Sequence, residues 1–209
     1  DRVVFKQAGL EKRLQYDRSP RKSLLDHFLP EQVSAEALSR GEVAELGDFA
    51  QGVYEAKIRR ATDKIQVQLT RLGKVNGREI RLTKGVTLST GSANLEIAYL
   101  LENLPPGEAF HFGVEFNFAA MPSGADDRFF YAQDGKQLGQ LGRTLDLPPT
   151  TKLGLVDEWL GIDVSLTADQ PTGFYAFPIE TVSQSEGGFE LVHQSVCVHP
   201  HWTVRGDAQ

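Results

Sequence analysis

The chain has 209 residues, 40% of them hydrophobic and 24% charged. That is ordinary globular chemistry, which excludes a disordered polypeptide and lets the chain fold without a disulfide or a metal. Its 22 basic and 28 acidic residues give a net charge of −6; the basic side chains are interleaved with acidic ones outside residues 18–22, which argues against a phosphate-binding nucleic-acid face.

No apolar run approaches the ~18 residues of a membrane span. The one cysteine, Cys197, excludes an intrachain disulfide and lies in the alternating run Val196-Cys197-Val198, where a buried inert thiol is expected. A single cysteine also fits a reducing, cytoplasmic setting. The chain opens at Asp1 without an initiator methionine and enters a strand-like run at once, so a piece cut from a longer polypeptide is expected.

In chain order, residues 13–28 have no clean period, and Leu24, Leu25 and Phe28 predict a turn packed against something. Ser34 can cap a short helix over residues 35–40, with Gly41 ending it. Residues 53–59 and 64–70 switch between apolar and polar with period two, the mark of strands. Asn76-Gly77 sits between the run ending near Val75 and residues 80–83. The positive φ angles it supplies predict a tight hairpin. Further strands are predicted at residues 93–101, 110–119, 128–132, 153–159, 162–166, 173–182 and 189–198. Turn signals separate them at Pro105-Pro106-Gly107, Asp134-Gly135, Leu160-Gly161, Pro171-Thr172-Gly173 and Glu186-Gly187-Gly188. Residues 122–127 are the least regular and read as an exposed loop. About ten strands without βα alternation predict an all-β fold, a large antiparallel β-sandwich with one short helix. Nothing linker-like divides the chain, so residues 1–209 read as one domain.

The most informative strand is Phe110-His111-Phe112-Gly113-Val114-Glu115-Phe116-Asn117-Phe118. Its even positions are apolar, and its odd positions line His111, Glu115 and Asn117 on the opposite face. Such a row can be a solvated face or can bind sugar hydroxyls beside the gap left by Gly113. Trp159 and Tyr175, with Trp202 and Tyr131, are candidates for stacking on sugar rings, and each also fits a core position. Asp157-Glu158 with Asp163 lacks a calcium-loop pattern and reads as exposed hairpin charge. His193, His199 and His201 lack zinc-like spacing, so no metal is expected. Signatures for nucleotide cofactors, a serine nucleophile or a glycosidase carboxylate pair are missing, and no cofactor or catalytic residue is assigned.

Three runs carry a resemblance. They are Tyr16-Asp17 followed by Arg21-Lys22-Ser23-Leu24-Leu25-Asp26-His27-Phe28-Leu29; Gly113-Val114-Glu115-Phe116-Asn117-Phe118; and Phe177-Pro178-Ile179-Glu180-Thr181-Val182-Ser183-Gln184-Ser185-Glu186-Gly187-Gly188-Phe189. Together they resemble the C-terminal β domain of glycoside hydrolase family 57 enzymes, the group of α-amylases and 4-α-glucanotransferases. The resemblance implies a supersandwich of the galactose mutarotase kind and a parent enzyme acting on α-1,4-glucans. It also implies that the catalytic carboxylates belong to an N-terminal barrel of the same polypeptide, so none is carried onto this chain. The expected role is then an accessory domain that packs on that barrel, with residues 16–29 as docking segment and His111, Glu115, Asn117, Trp159 and Tyr175 as a candidate carbohydrate surface. The alternative is a free-standing aldose epimerase using His111 and Glu115 as acid and base, a role that fold analogy alone does not support.

Overall fold

Alternating sequence becomes strand almost throughout. In the computed structural model, which describes residues 6, 9–10, 17, 20–119 and 121–206, the elements are β1 (Leu25–Leu29), α1 (Ala35–Ser39), β2 (Glu55–Arg60), β3 (Lys64–Val75), β4 (Arg78–Ser89), β5 (Leu95–Glu102), β6 (Ala109–Ala119), β7 (Arg128–Ala132), β8 (Gln137–Gln140), β9 (Leu145–Asp157), β10 (Ile162–Ser185) and β11 (Gly188–Arg205). They form a seven-stranded sheet in the order β1-β6-β11-β10-β9-β7-β8 and a four-stranded sheet in the order β2-β3-β4-β5. Each described register is antiparallel. The fold is all-β with one short helix, as the alternation predicts. The strand-like run expected at the start of the chain opens outside the described residues, where Tyr16, Arg18 and Ser19 of the docking segment also lie.

Local rules hold at the punctuation. Asn76 (φ 48°) and Gly77 (φ 78°) make the β3–β4 turn, with Val75 opposite Arg78. The Ser34 hydroxyl accepts from the Ala37 amide at 3.2 Å and caps α1.

The chain divides into two compact units. The first comprises Asp1–Leu24, Gln32–Val43 and Gly113–Trp202; the second comprises Leu25–Glu31, Ala44–Phe112 and Thr203–Gln209. In the first, Phe174, Ala176, Val196 and Val198 face one side of β10 and β11 and join Phe130, Leu141, Leu153 and Leu155 in a buried core. The alternate residues Phe177, Ile179 and Cys197 face the other side, where Leu38 of α1 packs on them. In the second unit, Phe28 lies 5.2–6.4 Å, centroid to centroid, from Phe49, Phe110 and Phe112. Full burial of each such ring contributes roughly 1.5–3 kcal/mol.

The structure corrects the reading in four places. Residues 25–29 form β1 rather than a turn: Phe28 is buried as expected, but so is Asp26, and an inward carboxylate disguises the alternation. Pro171-Thr172-Gly173 is not a turn; β10 runs straight through it, with register shifts between Thr167 and Phe174. β9 starts eight residues before the expected strand, through Pro148 and Pro149. These lack the N–H that a ladder needs, and they lie beside the register shifts in the β9–β10 pairing, as prolines in sheets do. The short strand β8 carries too little pattern to be seen.

Candidate functional site

The β9–β10 turn is held from both sides. Asp157 follows Leu153 and Leu155 with period two, so its carboxylate points to the core side of the sheet and is fully buried. It opposes Arg128 of β7, whose Nε donates to Oδ2 at 3.0 Å. Oδ1 accepts the Leu160 amide at 2.9 Å. Burial works against ionisation of this carboxyl, but the Leu160 amide and the Arg128 guanidinium outweigh it and hold the group below the usual carboxylate range. Gly161 takes the left-handed conformation (φ 65°) that closes the turn. The Glu158 amide donates to the Asp127 carbonyl at 2.9 Å, and Arg128 also reaches the Asp127 carboxylate at 2.9 Å. Asp157 is therefore no exposed hairpin charge, because it neutralises Arg128 at the rim of a core.

On this braced turn Trp159 is 79% exposed. Tryptophan is seldom left so open, and a flat ring on a fixed backbone presents its face at little entropic cost. Such a face complements the C–H face of a pyranose. Leu160 and Ile162 extend the apolar surface beside it. Asp163 accepts the Tyr131 hydroxyl at 2.8 Å.

The polar row of β6 has a different environment from the one predicted. Glu115 is buried. Its Oε2 pairs with Arg21 at 3.3 Å, and its Oε1 accepts from Asn117 Nδ2 at 2.7 Å. Asn117 also donates to the Lys22 carbonyl at 2.9 Å, and its amide donates to the Ser23 hydroxyl at 3.0 Å. Arg21 is held in turn by Asp17 at 2.8 Å. Farther along β6, His111 Nδ1 lies 2.9 Å from the Pro30 carbonyl. The row is thus bonded to the chain's own residues rather than open to solvent, because the Arg21 guanidinium and the Lys22 and Pro30 carbonyls take the polar positions that a sugar would occupy.

Tyr175 is buried too. It stacks on His201 with centroids 4.0 Å apart and donates to the Val33 carbonyl at 3.1 Å. Burial, with nearby Asp146, pushes its hydroxyl up to about 12. Trp202 donates to Thr172 at 2.8 Å. Of the five expected carbohydrate residues, then, Trp159 stands open. β11 and β10 lie between β6 and β9. That is three strand spacings, or about 14 Å, so Trp159 and the Glu115–Asn117 pair do not make one site.

Burial drives the Cys197 thiol well above its usual range, as an inert core thiol requires. His193 bonds the Met121 carbonyl at 2.9 Å. His199 packs against Gly113, where any Cβ would run into its ring. Among the described residues no three His, Cys, Asp or Glu side chains gather as a metal site.

Sequence reasoning missed a buried charge pair. Lys84 Nζ lies 2.7 Å from Asp26 Oδ2, with side chains 5% and 0% exposed. The Tyr54 hydroxyl donates to the same oxygen at 2.5 Å, and the lysine sits 4.6 Å from the Tyr54 ring centroid. Burial first, and then the Asp26 charge, raise the Tyr54 and Tyr99 hydroxyls. The signal was phase: Asp26 alternates with Phe28, and Lys84 with Leu82 and Val86.

Comparison with known proteins follows the same lines. A family model described as alpha-amylase/4-alpha-glucanotransferase, C-terminal, matches residues 1–209. Alpha-amylase 1 of Dictyoglomus thermophilum is 28% identical over 95% of this chain, which spans 28% of that relative's length. The 4-alpha-glucanotransferase of Thermococcus kodakarensis is 26% identical over 95% of the chain and 26% of its own length. The crystal structure of 4-alpha-glucanotransferase from Thermococcus litoralis shares the fold over 95% of this chain and 28% of that one, with a TM-score of 0.71 at 23% identity. With the family model matching from the first residue to the last, this chain belongs to the alpha-amylase/4-alpha-glucanotransferase C-terminal domain family.

Proposed function

We propose that residues 1–209 act as one non-catalytic accessory domain of a longer α-1,4-glucan-acting enzyme, packing on its catalytic barrel, and that Trp159 is the point at which the domain touches glucan. The observation that carries this reading is the full-length match to a C-terminal family model by a chain spanning 28% of its relative's length. Within the chain, Glu115 has one carboxylate oxygen on Arg21 and the other on Asn117, an arrangement that suits a structural anchor and leaves the epimerase alternative without a working base. One buried cysteine and the absence, among the described residues, of a helix long and apolar enough to cross a membrane are compatible with a cytoplasmic setting.

Glucan contact at Trp159 rests on one stacked ring and whatever hydrogen bonds the turn offers, each contributing about 0.5–1.5 kcal/mol. Binding is therefore expected at millimolar strength, on the order of −4 kcal/mol. Tryptophan emission during a maltoheptaose titration tests this. A saturable change should appear in the native chain and vanish in Trp159→Ala. Unchanged emission at tens of millimolar sugar would remove glucan contact and leave a purely structural role.

A further inference from the structure

We propose that the exposed end of the four-stranded sheet's apolar face is the surface on which the rest of the longer polypeptide docks, an assignment that rests on the accessory-domain reading. The registers β2–β3, β3–β4 and β4–β5 align two complete rows across four strands: Ile58-Val67-Val86-Ile97, then Arg60-Ile65-Leu88-Leu95. Directly opposed residues in an antiparallel ladder share a face, and adjacent rows two residues apart share it too. Seven aliphatic side chains and one arginine therefore form a continuous patch. Ile58, Ile65, Leu88 and Leu95 are 48–60% exposed.

The reverse face shows which side was built for contact. It carries Glu55, Lys57, Arg59, Gln66, Gln68, Thr87 and Glu96, with Leu72 and Leu100 as separate exposed apolar residues rather than a continuous row, the ordinary dress of a solvated sheet. Moreover, the patch continues a surface that the second unit already buries. In the next two rows along the same face, Lys84 and Leu82 are 4% and 0% exposed, and Tyr99, beside Lys84, meets Phe112 at 5.4 Å. One face thus passes from a buried stretch holding Leu82 and the paired Lys84 to an open one that is aliphatic but for Arg60. A patch of this kind, nearly free of charge, marks a permanent contact rather than a transient encounter.

The occupant we assign is the remainder of the same polypeptide. The Dictyoglomus relative holds nearly three quarters of its length outside the matched part, and a covalently linked neighbour meets an apolar face at high effective concentration. Arg60, at the rim of the patch, calls for an acidic group at the matching rim of that neighbour.

Cysteine labelling tests this. Leu88→Cys and, on the reverse face, Leu100→Cys are made in the complete natural polypeptide and in the 209-residue chain; Cys197 is buried and adds little background. Both positions are about half exposed, so neither change threatens the fold, and circular dichroism confirms it. Maleimide should label both variants quickly in the short chain. In the complete polypeptide, labelling at residue 88 should slow about tenfold or more while residue 100 stays reactive. Equal rates at residue 88 in both proteins would overturn the docking surface and leave the accessory reading intact. Protection of residue 88 in the short chain that grows with concentration, together with a doubled mass, would also overturn it, in favour of a second copy. A natural polypeptide no longer than this chain would remove the accessory reading itself.

Discussion

Two ends of one strand differ more than their sequences do. Near its start β4 carries Ile80, Leu82 and Lys84, which are buried; near its end, on the same face, it carries Leu88, which is half exposed. Both stretches alternate, the first with Lys84 standing at one of its inward positions. The first is covered where Phe49 lies against Gly73, the register partner of Ile80, and where Asp26 meets Lys84, and the second leaves Leu88 half open. Alternation therefore reports which face a side chain joins, and a covering layer decides whether burial follows. The energetic consequences of mutation should divide along the same line.

The largest effect is expected at the charge pair. Lys84→Ala leaves Asp26 buried without its cation, and loss of one partner from such a pair costs about 3–5 kcal/mol. Urea denaturation measures it, and a cost below about 1 kcal/mol would show that water reaches Asp26. Leu82→Ala comes next. With the side chain fully buried, the loss should be about 2–5 kcal/mol.

A pH effect of smaller size is expected from the turn that carries Trp159. The Asp157 carboxyl titrates lower in the folded chain than its ordinary 3.8. Its contribution is therefore complete above about pH 4 and fades as the pH falls through the lowered folded value. Stability measured from pH 6 down to pH 2 should fall less steeply in Arg128→Met, which removes one cause of the shift; identical slopes would show that the turn amides alone hold the carboxylate. The smallest effect belongs to the open end of β4, where Leu88→Ala should change the stability of the 209-residue chain by no more than about 0.5 kcal/mol. A loss resembling that of Leu82 would mean that the patch is already covered within this chain.

The sequence made the strands legible wherever polar and apolar residues alternated, and the β3–β4 hairpin and the capped helix followed from Asn76-Gly77 and Ser34. It failed where charge points inward. Asp26 in β1, Glu115 in β6 and Asp157 in β9 each look solvent-facing in a one-dimensional pattern, and each is buried because a cation from elsewhere in the chain meets it: Lys84, Arg21 and Arg128. Such pairs join residues 29–94 positions apart, beyond the reach of local periodicity. The candidate site was legible only in part for the same reason. The aromatic at the β9–β10 turn could be named, but its exposure depends on how Asp157 is neutralised, and the covering of Glu115 and Asn117 depends on where residues 20–24 run.

Activity of the isolated chain tests most directly whether it serves a larger enzyme without doing chemistry itself. Incubation of the purified 209 residues with maltoheptaose should give neither shorter nor longer oligosaccharides, and Glu115→Gln should leave that blank result unchanged. Turnover by the native chain that Glu115→Gln abolishes would contradict the account, since it would place a working carboxylate where the structure has a buried ion pair.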